Sequence, residues 1–545
     1  MQVPAPAARR EGGLPYKWIV ACVVIFGTFM SILDSTIVNI AIPRLQSAFG
    51  TDLNSVQWVL TAYTLAQGVA TPLTAFFADR IGIKRFYILS LVGFTLGSAL
   101  CGIAWSLPVL IIFRIFQGAT GAFLSPLAIT LLYREFPPQE RGTVMGAFGV
   151  PILIAPAIGP TIGGYIVTYI NWQLIFYINL PIGIVGMLMA IFFLREGEII
   201  RNKTFDIPGF LLSAIGLGLL LYGLSDASTD GWLSGPVLGT LAGGTLLLIL
   251  FIYVELSAAR QGRQPLLDLT VFADRSFTTS SIASLLVTFS LYGGLFLVPV
   301  YLENLRGLSA FDAGLVLLPQ AFASMFTMLL GGRLVDKFGV RAIVIPGLLI
   351  MSVALWLYSL LDLYIPIGQF QWLLILRSCG IGLCMQPLMV SALSNIEPRR
   401  LSQASSVSTT LRFVGSSLTI AILATMVQSQ NKIHYAHLAE RVTATSPLGT
   451  LVVMLQGALM GKGLSATAAY AYALKTIGGL LQRQSYMLAM QDGFRLSFYL
   501  AIVAIFATFF VSGAKKKKPA QEEASMSEEE RAEAEKAREE ASLAI

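Results

Sequence analysis

Fourteen apolar runs, each of roughly 18–28 residues and separated by shorter polar stretches, pattern this 545-residue chain. They begin near Trp18, Val56, Phe86, Leu110, Val144, Gln173, Pro208, Pro236, Thr278, Asp312, Arg341, Gly368, Gln403 and Phe494. A run of that length crosses the roughly 30 Å hydrocarbon layer as a helix. The period-two alternation of a barrel strand is missing, so the backbone must satisfy itself within helices. The expected fold class is therefore an all-α polytopic membrane protein with fourteen transmembrane helices.

Composition agrees with this pattern. Hydrophobic residues make up 55% and charged residues 12%, with a mean hydropathy of +0.73. A soluble domain carries about 25% charged residues. The net charge of +7 is spread between apolar runs rather than gathered on one face, which excludes a nucleic-acid partner. Cys22, Cys101, Cys379 and Cys384 all sit inside apolar runs, where thiols pack as small hydrophobes, and no metal-ligand spacing links them. The N-terminus is short and polar and the first run continues for a full span, so no cleavable signal is expected.

Charge places the loops. Sixteen Lys and Arg lie in loops after even-numbered runs, against Arg44 and Arg306 in the short loops after odd-numbered ones. Positive residues mark the cytoplasmic side. Arg9, Arg10 and the 515–518 lysine run then put both termini there, in a cell-membrane protein. The stretch from about 428 to 493 is expected to be an outer loop, with LGTLVVMLQGALMG as an amphipathic or buried helix too short to span. His434 and His437 near its start are read as solvated, with a two-histidine metal site the alternative. The acidic tail after Lys518 is read as solvated and partly helical.

Residues 110–132, LIIFRIFQGATGAFLSPLAITLL, bury Arg114 in an apolar span. Such a guanidinium costs at least about 2.5–3.5 kcal/mol and faces a partner or a watery cavity. Residues 373–393, LLILRSCGIGLCMQPLMVSAL, repeat the idea with Arg377. Two loops repeat as well: AFFADRIGIKR (75–85) aligns with GRLVDKFGVRA (332–342), matching Asp79 to Asp336, Arg80 to Lys337 and Gly82 to Gly339. The loop acids are 257 positions apart and the two arginines 263, so the chain carries an internal repeat. The simplest parse is a cytoplasmic N-terminus (1–17), six helices (18–195), an inserted pair with linkers (196–277), six more helices with the outer loop (278–513), and a charged tail (514–545). Parallel six-helix repeats with a midplane site are a transporter architecture. The loop acid can cap a neighbouring helix while its basic residues, Lys84 included, pair or face anionic lipid; a plain tight turn is the alternative.

These motifs carry a resemblance. The chain resembles the major facilitator superfamily, in particular its fourteen-span drug:proton antiporter branch (the EmrB/QacA type), over residues from about 18 to 512. LDSTIVNIAIP (33–43) resembles the branch's first-span motif. ADRIGIKR resembles the loop motif, with Ala75 and Ile83 where glycine and arginine are usual. RIFQGATGA, with Arg114, Gln117 and Gly118, resembles the fourth-span motif, and APAIGPTIGGYI (155–166) the fifth-span motif of antiporters. NWQLIFYINLPIG (171–183) resembles the segment that follows, with Gln173 where arginine is common. Gly159, Pro160, Gly163 and Gly164 by themselves permit close helix approach and a bend; the resemblance implies that this bend seals one side of an exporter's pathway. It also implies two rocking six-helix bundles plus two inserted helices, with the proton gradient as energy source and no cofactor.

Asp34 is the one carboxylate deep inside a span. It lies nine residues from Pro43, roughly 13 Å deep, and Arg114 lies six residues from Pro108, roughly 9 Å deep. Similar depths allow them to interact. Burial raises a carboxylate's pKa and a cation lowers it, so movement or cargo can switch its protonation. A static buried pair and direct cargo binding by Asp34 are the alternatives. Arg377 lacks an evident deep acid, and Arg412 is a further buried cation of unassigned role. Tyr63, Gln117, Met385 and Gln386 offer polar or soft surface for a lipophilic cargo cavity.

The expectation is thus a proton-coupled exporter of lipophilic small molecules, cationic ones included, and not an enzyme; export of a dedicated lipid, antibiotic or siderophore is the alternative. An ATP-driven pump is excluded because GALMGKG (457–463) lacks the phosphate-loop spacing and its Ser/Thr. Clustered catalytic side chains are also missing. Small lipophilic substrates, protons and membrane lipids are the expected partners; on a periplasmic adaptor the sequence is silent.

Overall fold

A backbone in hydrocarbon must pair every N–H and C=O within its own segment, and in the computed structural model helices do this throughout. The structure describes residues 15–511 except 198, 200–203, 228 and 444; the acidic tail and the 515–518 lysines lie outside them. Among the described residues there is no strand.

The first bundle opens with α1 (Tyr16–Phe49). Its second span is α2 (Leu53–Ala70), a 3₁₀ turn at Thr71–Leu73, and α3 (Thr74–Ile81). α4 (Ile83–Gly102) is the third, and α5 (Leu107–Gly121) with α6 (Leu124–Glu135) the fourth. α7 (Arg141–Tyr169) is the fifth, and α8 (Leu174–Tyr177) with α9 (Asn179–Phe193) the sixth. Pro72 and Pro126 mark the breaks in spans two and four, because proline removes a ladder N–H. α10 (Ile207–Asp226) and α11 (Gly235–Arg260) form the inserted pair. The second bundle comprises α12 (Arg275–Val300), α13 (Ala310–Phe338), α14 (Val340–Tyr358), α15 (Ile367–Leu393), α16 (Leu401–Glu440), the short α17 (Pro447–Met460) and α18 (Ala466–Phe509).

Thirteen of these helical stretches are long and apolar enough to cross a membrane. The remaining expected span, α2–α3, is more polar, with Gln57, Thr61, Thr64 and Gln67 along one helix. The two bundles meet along two seams. α7 lies against α13 in the most extensive helix contact of the molecule, and α16 lies against α3, the 3₁₀ turn and α6. α10 covers this second seam by packing on both α2 and α16. α11 packs on α10 with most of its surface exposed, the position of a lipid-facing helix.

The stretch expected as an outer loop is built differently. α16 continues past residue 428 to Glu440, and α18 begins at Ala466, so most of 428–493 is helical extension of two spans. α17 packs on this pair through Val452, Ala473, Ile477 and Leu481. His434 is not free in solvent: its Nε2 lies 2.7 Å from Asp492, which also accepts from Arg495 at 3.0 Å. His437 is exposed. Polar residues hid the extensions, since a helix leaving the membrane loses its apolar run without losing its helicity.

Candidate functional site

Asp34 and Arg114 meet in the first bundle. Arg114 Nη1 donates to Asp34 Oδ2 at 2.6 Å, and both side chains are fully buried. Arg114 Nη1 also donates to Gln117 Oε1 at 2.7 Å, and its Nε to the Val59 carbonyl at 3.2 Å. The guanidinium lies 3.9 Å from the centre of the Tyr63 ring, a desolvated cation–π contact. Asp34 Oδ1 accepts from Gln117 Nε2 at 2.9 Å and from Asn179 Nδ2 at 2.6 Å. Asn179 in turn donates to Ser98 Oγ, whose hydroxyl bonds the Phe176 carbonyl. Helices of spans one, two, three, four and six therefore converge on one carboxylate. Arg114 Nη2 and Asn179 Oδ1 have no hydrogen-bond partner among the described residues, so the cluster is not saturated. Removing either member of a buried pair of this kind costs about 3–5 kcal/mol.

This geometry corrects two sequence expectations. Tyr63 and Gln117, read as cargo-cavity residues, are 1% and 0% exposed and belong to the ion-pair cluster. Both contact the Arg114 guanidinium, whose burial draws in the nearest polar groups. Asn179 went unassigned although the signal lay in NWQLIFYINLPIG, an amide at the head of an apolar helix just before Pro181.

The repeated loops meet the opposite bundle at the end rich in Lys and Arg. Asp336 accepts from the Gly142 and Thr143 amides, each at 2.8 Å, and from Thr143 Oγ1 at 2.7 Å. These amides belong to the first turn of α7, so a carboxylate of one bundle caps a helix of the other, where the helix dipole favours it. Asp79 accepts from Ser402 Oγ at 3.1 Å in the first turn of α16. Nearby, Thr130 bonds Ser405 at 2.9 Å and Ser406 donates to the Thr71 carbonyl at 2.8 Å. A methyl group added at Gly146 would stand 2.6 Å from the Met328 carbonyl, so the helices touch backbone to backbone. The bundles are clamped together at this end.

Gly82 and Gly339 turn the two loops at φ +100° and +85°, which L side chains avoid. Glu196 receives the Lys84 and Arg85 amides at 3.1 and 3.3 Å, while Lys84 Nζ reaches the Ile191 carbonyl at 2.8 Å. Arg80 lies over the Phe76 ring and Lys337 is exposed. Gly159 and Gly163 press α7 against Thr36 and Ile37 of α1, one turn from Asp34. Gly164 faces Phe311 across the seam; the side chain of Pro160 lies outside the described residues.

Among the described residues the second bundle has no ion pair at the matching place. Arg377 is 2% exposed, and its Nη2 donates to the Ser290 and Leu291 carbonyls at 3.3 and 2.8 Å. Arg412 is half-buried near Tyr292. Met385 and Gln386 are buried, with Gln386 wedged against Gly149 and Met328 at the first seam rather than on an open cavity.

A family model described as Major Facilitator Superfamily matches residues 24–420. The chain is 32% identical over 498 residues to the uncharacterized MFS-type transporter YhcA of Bacillus subtilis (strain 168), covering 91% of this chain and 93% of that protein. It is 31% identical over 423 residues to the multidrug export protein EmrB of Escherichia coli (strain K12), covering 77% and 82%. It is 32% identical over 424 residues to the fatty acid resistance protein FarB of Neisseria gonorrhoeae, again covering 77% and 82%. Among solved structures, a double-Trp mutant of XylE superposes with a TM-score of 0.56 at 14% identity, covering 93% of this chain and 98% of that one.

Proposed function

The chain belongs to the Major Facilitator Superfamily, and from that premise we propose that this multi-pass membrane transporter is a proton-coupled exporter of lipophilic small molecules. The observation that carries the reading is the sealed cluster in which Asp34 meets Arg114. Ionised, the carboxylate neutralises the guanidinium and accepts three hydrogen bonds. Protonated, it leaves Arg114 without an anion in a fully buried site, which favours an arrangement that rehydrates the cation. Proton occupancy of one group thereby biases the equilibrium between two packings of the bundles.

The clamp at the Lys/Arg-rich end supplies the second state. With that end cytoplasmic, as the charge bias favours, the arrangement described here is closed to the cytoplasm. Opening it requires the Asp336 and Asp79 contacts to break together. Cargo enters from the cytoplasm in the opened state and leaves outward in the clamped one, the proton moving the other way. The relative named for multidrug export supports a broad cargo range.

A second reading, export of one dedicated lipid-like cargo, is supported by the relative named for fatty acid resistance. A panel of amphiphiles in an efflux-deficient host separates the two. For the leading reading, a protonophore added with ATP held constant abolishes export of several unrelated compounds. Export that persists without the gradient contradicts it.

A further inference from the structure

The two halves repeat, yet among the described residues only one pairs its buried arginine with a carboxylate. Adding the repeat offset of 257–263 positions to Asp34 reaches positions 291–297, LYGGLFL, a stretch with no acid. In the structure this segment of α12 takes the place of a carboxylate. Arg377 lies flat on it at Gly294, where any side chain would overlap the guanidinium. Two backbone carbonyls receive Nη2, but Nε has no partner and, among the described residues, no carboxylate pairs with Arg377. Carbonyl dipoles only partly offset the several kcal/mol it takes to strip water from an ion.

Arg377 also borders a cavity. A cavity of about 90 Å³ lies between α7 and the second bundle, with Arg377, Ser378 and Gln320 at its polar end. Leu153, Pro156, Val298 and Leu317 supply apolar walls. Glu303, also on the cavity, is nine positions beyond Gly294, roughly 13 Å along the helix, and is exposed. It is not held against Arg377 as Asp34 is held against Arg114. On the same turn of α12, Tyr292 faces Arg412, which also has no carboxylate partner among the described residues. The space admits a head group of a few heavy atoms rather than a whole amphiphile, whose chain must extend along the apolar walls.

We propose that Arg377 is the docking point for the anionic head of an amphipathic ligand, so that the ligand supplies the counter-ion the second bundle lacks. A carboxylate on a free acyl chain and a phosphate on a membrane lipid share this chemistry. The site rests on the exporter reading only for the direction in which its ligand moves. Binding is therefore measured without a gradient, and its failure leaves proton coupling at Asp34 untouched.

The test uses the full-length protein in phosphatidylcholine nanodiscs with radiolabelled laurate and dodecyltrimethylammonium as chain-matched probes. Arg377→Met weakens laurate binding about tenfold or more, the scale of one charge-assisted contact. Arg377→Lys restores most of it, and dodecyltrimethylammonium binding stays within about twofold in both variants. Equal laurate binding by wild type and Arg377→Met, or equal loss of both probes, overturns the proposal. Independently of any variant, wild type prefers laurate to dodecanamide by the same factor, and parity between them overturns the proposal as well. Displacement of laurate by phosphatidylglycerol in the nanodisc assigns the site to a lipid phosphate; binding that ignores phosphatidylglycerol assigns it to a free carboxylate, and either supports an anion at Arg377.

Discussion

Arg114 and Arg377 occupy corresponding spans of a duplicated bundle, but they are solvated by the protein in opposite ways. Arg114 carries its anion with it: Asp34, braced by Gln117 and Asn179, closes the charge inside one bundle. Arg377 has backbone carbonyls and an adjoining cavity instead. The cation stands in the fourth span of each bundle, while what neutralises it differs. A site that contains its own acid can gain and lose a proton; a site that lacks one must receive charge from outside. The difference between the bundles follows from whether an acid or glycine sits one helix away.

The largest effect that can break this comparison is on stability. Arg114→Met strands the Asp34 carboxylate and costs about 3–5 kcal/mol. Arg377→Met removes an unpaired buried charge and leaves stability unchanged or raised. Thermal unfolding of both variants in detergent checks this, and equal destabilisation would show that Arg377 has a partner as strong as Asp34. Next comes the brace: Asn179→Leu deletes a hydrogen bond to a charged group worth about 1.5–3 kcal/mol. Because Asn179 touches Asp34 and not Arg377, this variant lowers the temperature midpoint while leaving laurate binding unaltered.

A smaller effect separates the bundles from the clamp that joins them. Asp336→Asn keeps one acceptor for the first turn of α7 but removes the charge that its dipole favours, about 1–2 kcal/mol. Hydrogen exchange at the Gly142 and Thr143 amides then quickens roughly tenfold, as expected for a 1.4 kcal/mol loss. Exchange in α5 and α9, around the ion pair, stays as in the wild type. Quickening there too would mean that the clamp and the proton site form one cooperative unit.

Much of this was legible in the chain. Apolar run length marks a span directly, so the architecture could be read from residues alone, and similar depths along two helices allowed Asp34 to meet Arg114. Which way a side chain faces is another matter. Tyr63 and Gln117 look like cavity residues on a helix drawn alone; they turn inward because a buried guanidinium draws every nearby polar group. Asn179 is inconspicuous in sequence, since a single amide in an apolar span has many uses until a carboxylate is placed beside it. The extensions of α16 and α18 were invisible to hydropathy, which registers the membrane's edge and not the helix's end.

In the proposed function Asp34 couples the proton to the cargo. Proteoliposomes holding Asp34→Asn, assayed with tetraphenylphosphonium, test it most directly by comparing exchange with driven accumulation. Saturable counterflow is expected to survive, because the bundles still rock, while accumulation driven by an imposed proton gradient falls to the level of empty liposomes. Gradient-driven accumulation equal to that of the wild type would contradict it.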